Sequence, residues 1–185
     1  AGSFTQAMIR AGSHPDLHII TKELAAVSSD DKVRQGKQIA IAKKVIVEFL
    51  LAPAARTRVV QSGTKIGKVF IVDEAELLND ESQNTLLKTL EEPPSGTVLI
   101  LVTTNEDRLL TTIRSRCQRV EFGPLSDAEM QEWFRSASRA GLPFSPEQVP
   151  WLMQFASGSP GSAMLAIEHG LFEWHNQLEP LLQAA

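Results

Sequence analysis

The sequence predicts an α/β fold, a parallel sheet with helices packed on it, followed by a small helical domain. Three observations carry that prediction. Lys68-Val-Phe-Ile-Val72 and Thr97 to Thr103 are continuous β-prone runs, as strands covered on both faces require. Apolar residues recur at helical spacing around them, and strands alternating with helices are the pattern of parallel βαβ units. Beyond Gly123-Pro124 only helical patterns follow. The α/β part therefore spans 1–123, a helical domain 124–170, and a helix or linker 171–185.

In chain order, Phe4 to Ala11 reads as a short helix stopped by Gly12, and Leu17 to Thr21 as a strand after the turn-prone Ser13-His14-Pro15-Asp16. Lys22 to Gly36 is polar with few large apolar residues, which predicts a mobile surface loop. Ile39, Ala42, Val45, Ile46, Phe49 and Leu50 recur at helical spacing and predict an amphipathic helix on one sheet face. A second polar segment runs to Gly67. After the Lys68–Val72 strand, Asp80-x-x-Gln83 resembles a capping box, and Leu86, Leu87 and Leu90 continue a helix that Pro93-Pro94 must end. Thr97 to Thr103 is a second buried strand, Leu109, Leu110 and Ile113 suggest a short helix, and Arg119 to Phe122 a last strand. Ser126 with Glu129 forms a capping box for a helix with Met130, Trp133, Phe134 and Ala137 inward. Ser145-Pro146 opens another helix with Val149, Leu152 and Met153, and Ser159-Pro160 a third with Ala163, Ala166 and Ile167. Three short helices on tight loops make a small bundle.

Composition narrows the function. With 43% hydrophobic residues the 185-residue chain can bury a sizeable core. A net charge of −4 argues against a dedicated polyanion binder, because gripping phosphates needs clustered Lys and Arg. No apolar run approaches the roughly 20 residues of a membrane span, and no signal-peptide layout opens the chain, so a cytoplasmic location is expected. The one cysteine, Cys117, excludes an internal disulfide and a multi-Cys zinc site within these residues; it reads as a small buried filler. His14, His18, His169 and His175 are too scattered for a metal site, and none is expected. Trp133, Trp151 and Trp174 read as core anchors.

Asp73 and Glu74 end the central apolar strand. In P-loop ATPases an Asp placed there reaches the magnesium bridging the terminal phosphates, and the following Glu can polarise the attacking water. Taken alone, the pair could simply favour the dipole of the next helix. The sequence contains no Gly-x-x-x-x-Gly-Lys-Ser/Thr, the backbone cradle for those phosphates.

Asp73-Glu74, Leu86-Leu87-Lys88-Thr89-Leu90-Glu91-Glu92-Pro93-Pro94, Thr103-Thr104 and Ser115-Arg116-Cys117, in that order, resemble the clamp-loader AAA+ family. That family includes bacterial DNA polymerase III tau/gamma and delta-prime subunits and the small subunits of replication factor C. The resemblance implies an AAA+ P-loop-type sheet, here without its Walker A portion, and a three-helix lid. It also implies Walker B positions at Asp73 and Glu74, sensor 1 at Thr104, and an arginine finger at Arg116 that projects into a neighbouring subunit's ATP site. The bland alternative for Arg116 is a solvated or locally ion-paired side chain, the role expected of Arg108, Arg114 and Arg119.

Gly12-Ser13-His14-Pro15-Asp16 and Gly158-Ser159-Pro160-Gly161-Ser162-Ala163 point to the delta-prime branch. Sensor 2 of active ATPases carries an Arg where this chain has Gly161, and the family's zinc cysteines, which would lie around Ser3 to Gln6, are missing. The resemblance thus implies a subunit that binds no ATP or magnesium itself and performs no independent catalysis. Its implied partners are tau/gamma and delta, with the sliding clamp and primer-template DNA reached through the complex. It further implies sequence before residue 1 and a collar domain after Ala185, and a fragment that is monomeric alone. The alternative is a tau/gamma-like active ATPase whose Walker A segment lies outside the chain.

Overall fold

The structure, a computed structural model, describes residues 4–56 and 67–183. Most of the second polar segment predicted to run to Gly67 lies outside the described residues. The chain divides into two compact units, Ala1–Arg119 and Val120–Ala185.

In the first unit, helix α1 (Phe4–Arg10) ends at Gly12, whose φ of 64° few other residues adopt readily. Strand β1 (Leu17–Ile20) pairs in parallel with β2 (Lys68–Val72), which pairs in parallel with β3 (Thr97–Leu101), giving the order β1-β2-β3. Leu17 faces Val69, and Lys68 faces Thr97. The central strand buries Lys68, Phe70 and Val72, with Val69 and Ile71 half-buried. Lys68 is buried because its ammonium donates to the carbonyls of Pro53 and Arg56. β3 is less covered than predicted: it is an edge strand among the described residues, and Ile100 is 42% exposed.

Lys22 to Gly36 is not the predicted open loop. It forms a 3-10 turn, Lys22–Val27, and helix α2 (Asp31–Gln35), capped by Asp30, which accepts from the Lys32 and Val33 amides. Ser28, almost fully buried, donates to Glu48 and ties the segment to the next helix. That helix starts later than predicted. α3 (Lys43–Ile46) continues through a π turn, Val47–Leu51, into α4 (Ala52–Ala54). The Ala52 amide reaches back to Val47, and Pro53 lacks the next donor, which accounts for the wider turn. Val45, Ile46 and Leu50 are fully buried as expected, whereas Ile39 lies before the helix and is 74% exposed. Ile41 takes the inward place and bridges Leu78.

α5 (Asp80–Glu91) is capped by Asn79, which accepts from the Ser82 amide. The expected Asp80–Gln83 box does not form, because Asp80 is already the first helical residue. Leu86 is fully buried, and Leu87 and Leu90 pack beside it. A 3-10 turn, Glu106–Arg108, and α6 (Thr111–Arg114) follow, with Ile113 inward. Arg119 to Phe122 forms no strand; it has no ladder partner among the described residues, and Phe122 is 92% exposed.

The second unit holds α7 (Asp127–Arg139), α8 (Val149–Ala156) after a 3-10 turn at Pro146–Gln148, α9 (Pro160–Glu168) and α10 (Leu171–Gln183). The Ser126–Glu129 capping box is present in full. Met130, Phe134, Leu152, Ala156, Ala163 and Ala166 form the core. The 171–185 stretch is thus largely a fourth helix, anchored by Trp151, which meets Phe172 edge-on at 5.6 Å and stacks on His175 at 5.4 Å. Trp133 and Trp151 are partly buried anchors, but Trp174 is 63% exposed. Among the described residues, no helix is long and apolar enough to cross a membrane.

Candidate functional site

Parallel strands place their carboxyl ends together, so the residues that follow β2 and β3 meet at one edge of the sheet. The Ala75 amide donates to Val102 O at 2.8 Å and the Val102 amide to Val72 O at 2.9 Å, which locks the two strand ends in register. Asp73 and Glu74 are both exposed there. The Asp73 carboxylate accepts from the Glu74 amide at 3.0 Å. Glu74 has left-handed backbone, φ 49° and ψ 49°, and its carboxylate pairs with Lys22 at 3.0 Å. That hydrogen-bonded carboxylate raises the Lys22 pKa above its ordinary value.

Thr104 joins this group through Glu76, which sequence reasoning did not single out. Its hydroxyl donates to Glu76 Oε1 at 2.7 Å, while Glu76 Oε2 is buried with no hydrogen-bond partner. Burial pushes the Glu76 carboxyl up, but hydrogen bonds from Thr104, Thr103 and nearby backbone outweigh it and hold the pKa below 4.5. Glu74 is thus engaged by a cation and the Thr104 donor by a carboxylate. No group of three or more His, Cys, Asp or Glu among the described residues is arranged to hold a metal ion. By themselves Asp73 and Glu74 offer a hard cation two exposed carboxylates, one of them already paired with Lys22.

Arg116 stands apart from that edge, two residues past the end of α6. Its Nε donates to Glu91 Oε1 at 2.9 Å, and Nη2 lies 2.6 Å from the same oxygen. Nη1 donates to Thr112 O at 2.9 Å and approaches Ser115 Oγ at 3.4 Å. Its side chain is 34% exposed. Arg114 pairs with Asp107 and Arg119 with Glu106. Cys117 is exposed rather than buried; partial desolvation raises its thiol pKa, which disfavours the nucleophilic thiolate.

Gln83, expected only as a capping-box residue, connects these parts. It is 1% exposed, and its amide donates to Leu78 O at 3.0 Å and Arg108 O at 3.2 Å while accepting from the Leu110 amide at 2.7 Å. One buried side chain thereby fastens α5 to the entry of α6, the short helix that leads to Arg116. In the second unit, Gly161 lies in the first turn of α9. A Cβ there would meet only Ser159 Oγ, at 3.9 Å, so the backbone position itself leaves room for a first side-chain carbon.

Residues 5–126 match the family described as DNA polymerase III, delta subunit. The DNA polymerase III subunit delta' of Pseudomonas aeruginosa is 32% identical over 172 residues, 92% of this chain and 46% of the relative. The delta' subunit of Escherichia coli is 32% identical over 158 residues, 85% of this chain and 41% of its own. The DNA polymerase III subunit gamma of Buchnera aphidicola is 35% identical over 105 residues, 56% and 29% of the two chains. The chain thus spans less than half the length of each of these relatives. Among solved structures, a gamma subunit-related protein of Thermotoga maritima aligns with TM-score 0.53 at 20% identity, covering 90% of this chain and 49% of the other. A Thermotoga maritima RuvB variant aligns with TM-score 0.55 at 16% identity, covering 82% and 44%. At such identities the likeness speaks for the fold alone, the parallel α/β sheet with helices expected above.

Proposed function

This chain belongs to the DNA polymerase III delta-subunit family, and from that premise we propose that it is a delta-prime-type clamp-loader subunit that hydrolyses no ATP itself and lends Arg116 to a neighbouring ATPase. The observation that carries the reading is the tied state of the Walker B edge, with Glu74 on Lys22 and Thr104 on Glu76. The glycine at position 161, where the resemblance implies a sensor arginine, supports it. Arg116 is paired with Glu91 along one edge, and the rest of its partly exposed guanidinium carries a permanent charge. Placed against a neighbour's terminal phosphate, such a group stabilises the negative oxygens of the transition state, with an effect of about 10³ to 10⁵ in rate. The subunit would act beside tau/gamma and delta, reach the sliding clamp and primer-template DNA through the complex, and work in the cytoplasm.

The test is a loader assembled with this subunit as wild type, Arg116→Ala, Arg116→Lys or Arg108→Ala. The Arg116 variants should assemble normally and turn over ATP slowly at one neighbouring site, whereas Arg108→Ala should behave as wild type. Arg116 variants that load clamps at the wild-type rate, or fail only by not assembling, would end the in-trans reading. Titration of labelled ATP with magnesium into the isolated subunit separates the rival. Saturable micromolar binding would favour a tau/gamma-like ATPase.

A further inference from the structure

We propose that Glu91 is a positioning residue for Arg116, holding one edge of the guanidinium so that its remaining donors are ready for an incoming phosphate. The inference rests on the reading of Arg116 as a finger and adds a residue to it. A guanidinium has five N–H donors. Here Nε and one donor of Nη2 go to a single oxygen of Glu91, and one donor of Nη1 goes to Thr112 O. The remaining donors sit on the two terminal nitrogens, the pair that matches two oxygens of a phosphate. The contact of Nη1 with Ser115 Oγ, at 3.4 Å, is long and gives way readily to a charged acceptor.

The position of Glu91 argues that the pairing is more than incidental. Glu91 is the last residue of α5, where the unpaired carbonyls of a helix end disfavour a carboxylate. An acid there is electrostatically misplaced unless a cation meets it, and the cation that does is 25 residues further along the chain. Both side chains are partly exposed, 34% and 48%, so the pair adds little to stability. What it restricts is the freedom of a long side chain. An unrestrained Arg would lose that freedom only on meeting the phosphate, which weakens the transition-state contact.

The experiment uses the full chain in a loader assembled with its ATPase subunits, as wild type, Glu91→Ala, Glu91→Gln, Arg116→Ala and Glu91→Ala/Arg116→Ala. Glu91→Ala should lower kcat at the neighbouring site by about tenfold, with KM for ATP and the melting temperature nearly unchanged. Glu91→Gln keeps an acceptor oxygen without the charge and should fall between. In the Arg116→Ala background, Glu91→Ala should have no further effect. Wild-type turnover in Glu91→Ala, or an equal loss in both backgrounds, would overturn the positioning role while leaving the finger intact. A silent Arg116→Ala would remove the finger and the positioning role together. A second reading comes from the Arg116 Nε–H resonance, which should shift and exchange faster in Glu91→Ala; an unchanged resonance would refute the contact itself.

Discussion

Glu74 and Glu76, two positions apart, are put to different uses by the turn after β2: one takes the Lys22 ammonium, the other the Thr104 hydroxyl. The second pairing has a pH consequence. The folded-state pKa of Glu76 lies below its ordinary value of 4.5, so its stabilising contribution is complete above the unfolded pKa and is lost as pH falls through the folded one. Thr104→Val removes the first of the hydrogen bonds that oppose burial, and the Glu76 pKa should rise. The acid-unfolding midpoint, followed by circular dichroism, should therefore move to higher pH in Thr104→Val; coincident midpoints would show that Thr104 does not hold the carboxylate. Asp73, Glu74, Thr104 and Arg116 can be nominated from the sequence because a strand end and short motifs mark them. Glu76, Gln83 and Glu91 cannot, because their partners lie 25 to 28 residues away and no local pattern encodes such a contact. The placement of Glu91 at a helix end, where an acid is disfavoured, was the one signal that could have drawn notice.

At the scale of elements, two glycines three positions apart predict opposite outcomes. Gly158 has φ 82°, and a Cβ there would stand 2.5 Å from Leu125 O and 2.7 Å from the Pro124 side chain; the Leu125 amide also donates to Gly158 O at 2.8 Å. Gly158→Ala should destabilise the helical unit by about 2 kcal/mol or more. Gly161→Ala meets open space in a helix and should be neutral or stabilising by up to about 0.5 kcal/mol. Thermal melts read by tryptophan emission report on this unit alone, since Trp133, Trp151 and Trp174 all lie within it; similar losses in both variants would refute the steric argument. Elements with a strong period, such as β2, α5 and α7, could be read directly from the sequence. The 3-10 turn and short α2 between Lys22 and Gly36 could not, since they are too brief to show a period, although Asp30 followed by two helix-compatible residues was an available cap. Arg119 to Phe122 shows the converse error. A β-prone run is a strand only when a neighbour completes its ladder.

For the molecule as a whole, each unit buries its own apolar cluster; the pattern changes near Gly123-Pro124, and the two compact units divide at Arg119/Val120. What composition could not convey is the order of the strands, which depends on pairings distant in sequence. The register described for the sheet also has a consequence in time. Lys68 meets Thr97 after roughly 30 residues, and Leu17 meets Val69 only after roughly 50, so closing the second loop costs about 0.5 kcal/mol more in chain entropy. The intervening helix α5 further shortens the search for the β2–β3 partnership, because its leucines supply a surface on which both strands can collapse. Refolding should therefore begin with β2, α5 and β3, and β1 should join an existing pair. Pulse-labelled hydrogen exchange is expected to find the amides of residues 68–72, 80–91 and 97–101 protected before those of 17–20, and simultaneous protection would mean that the sheet forms in one step.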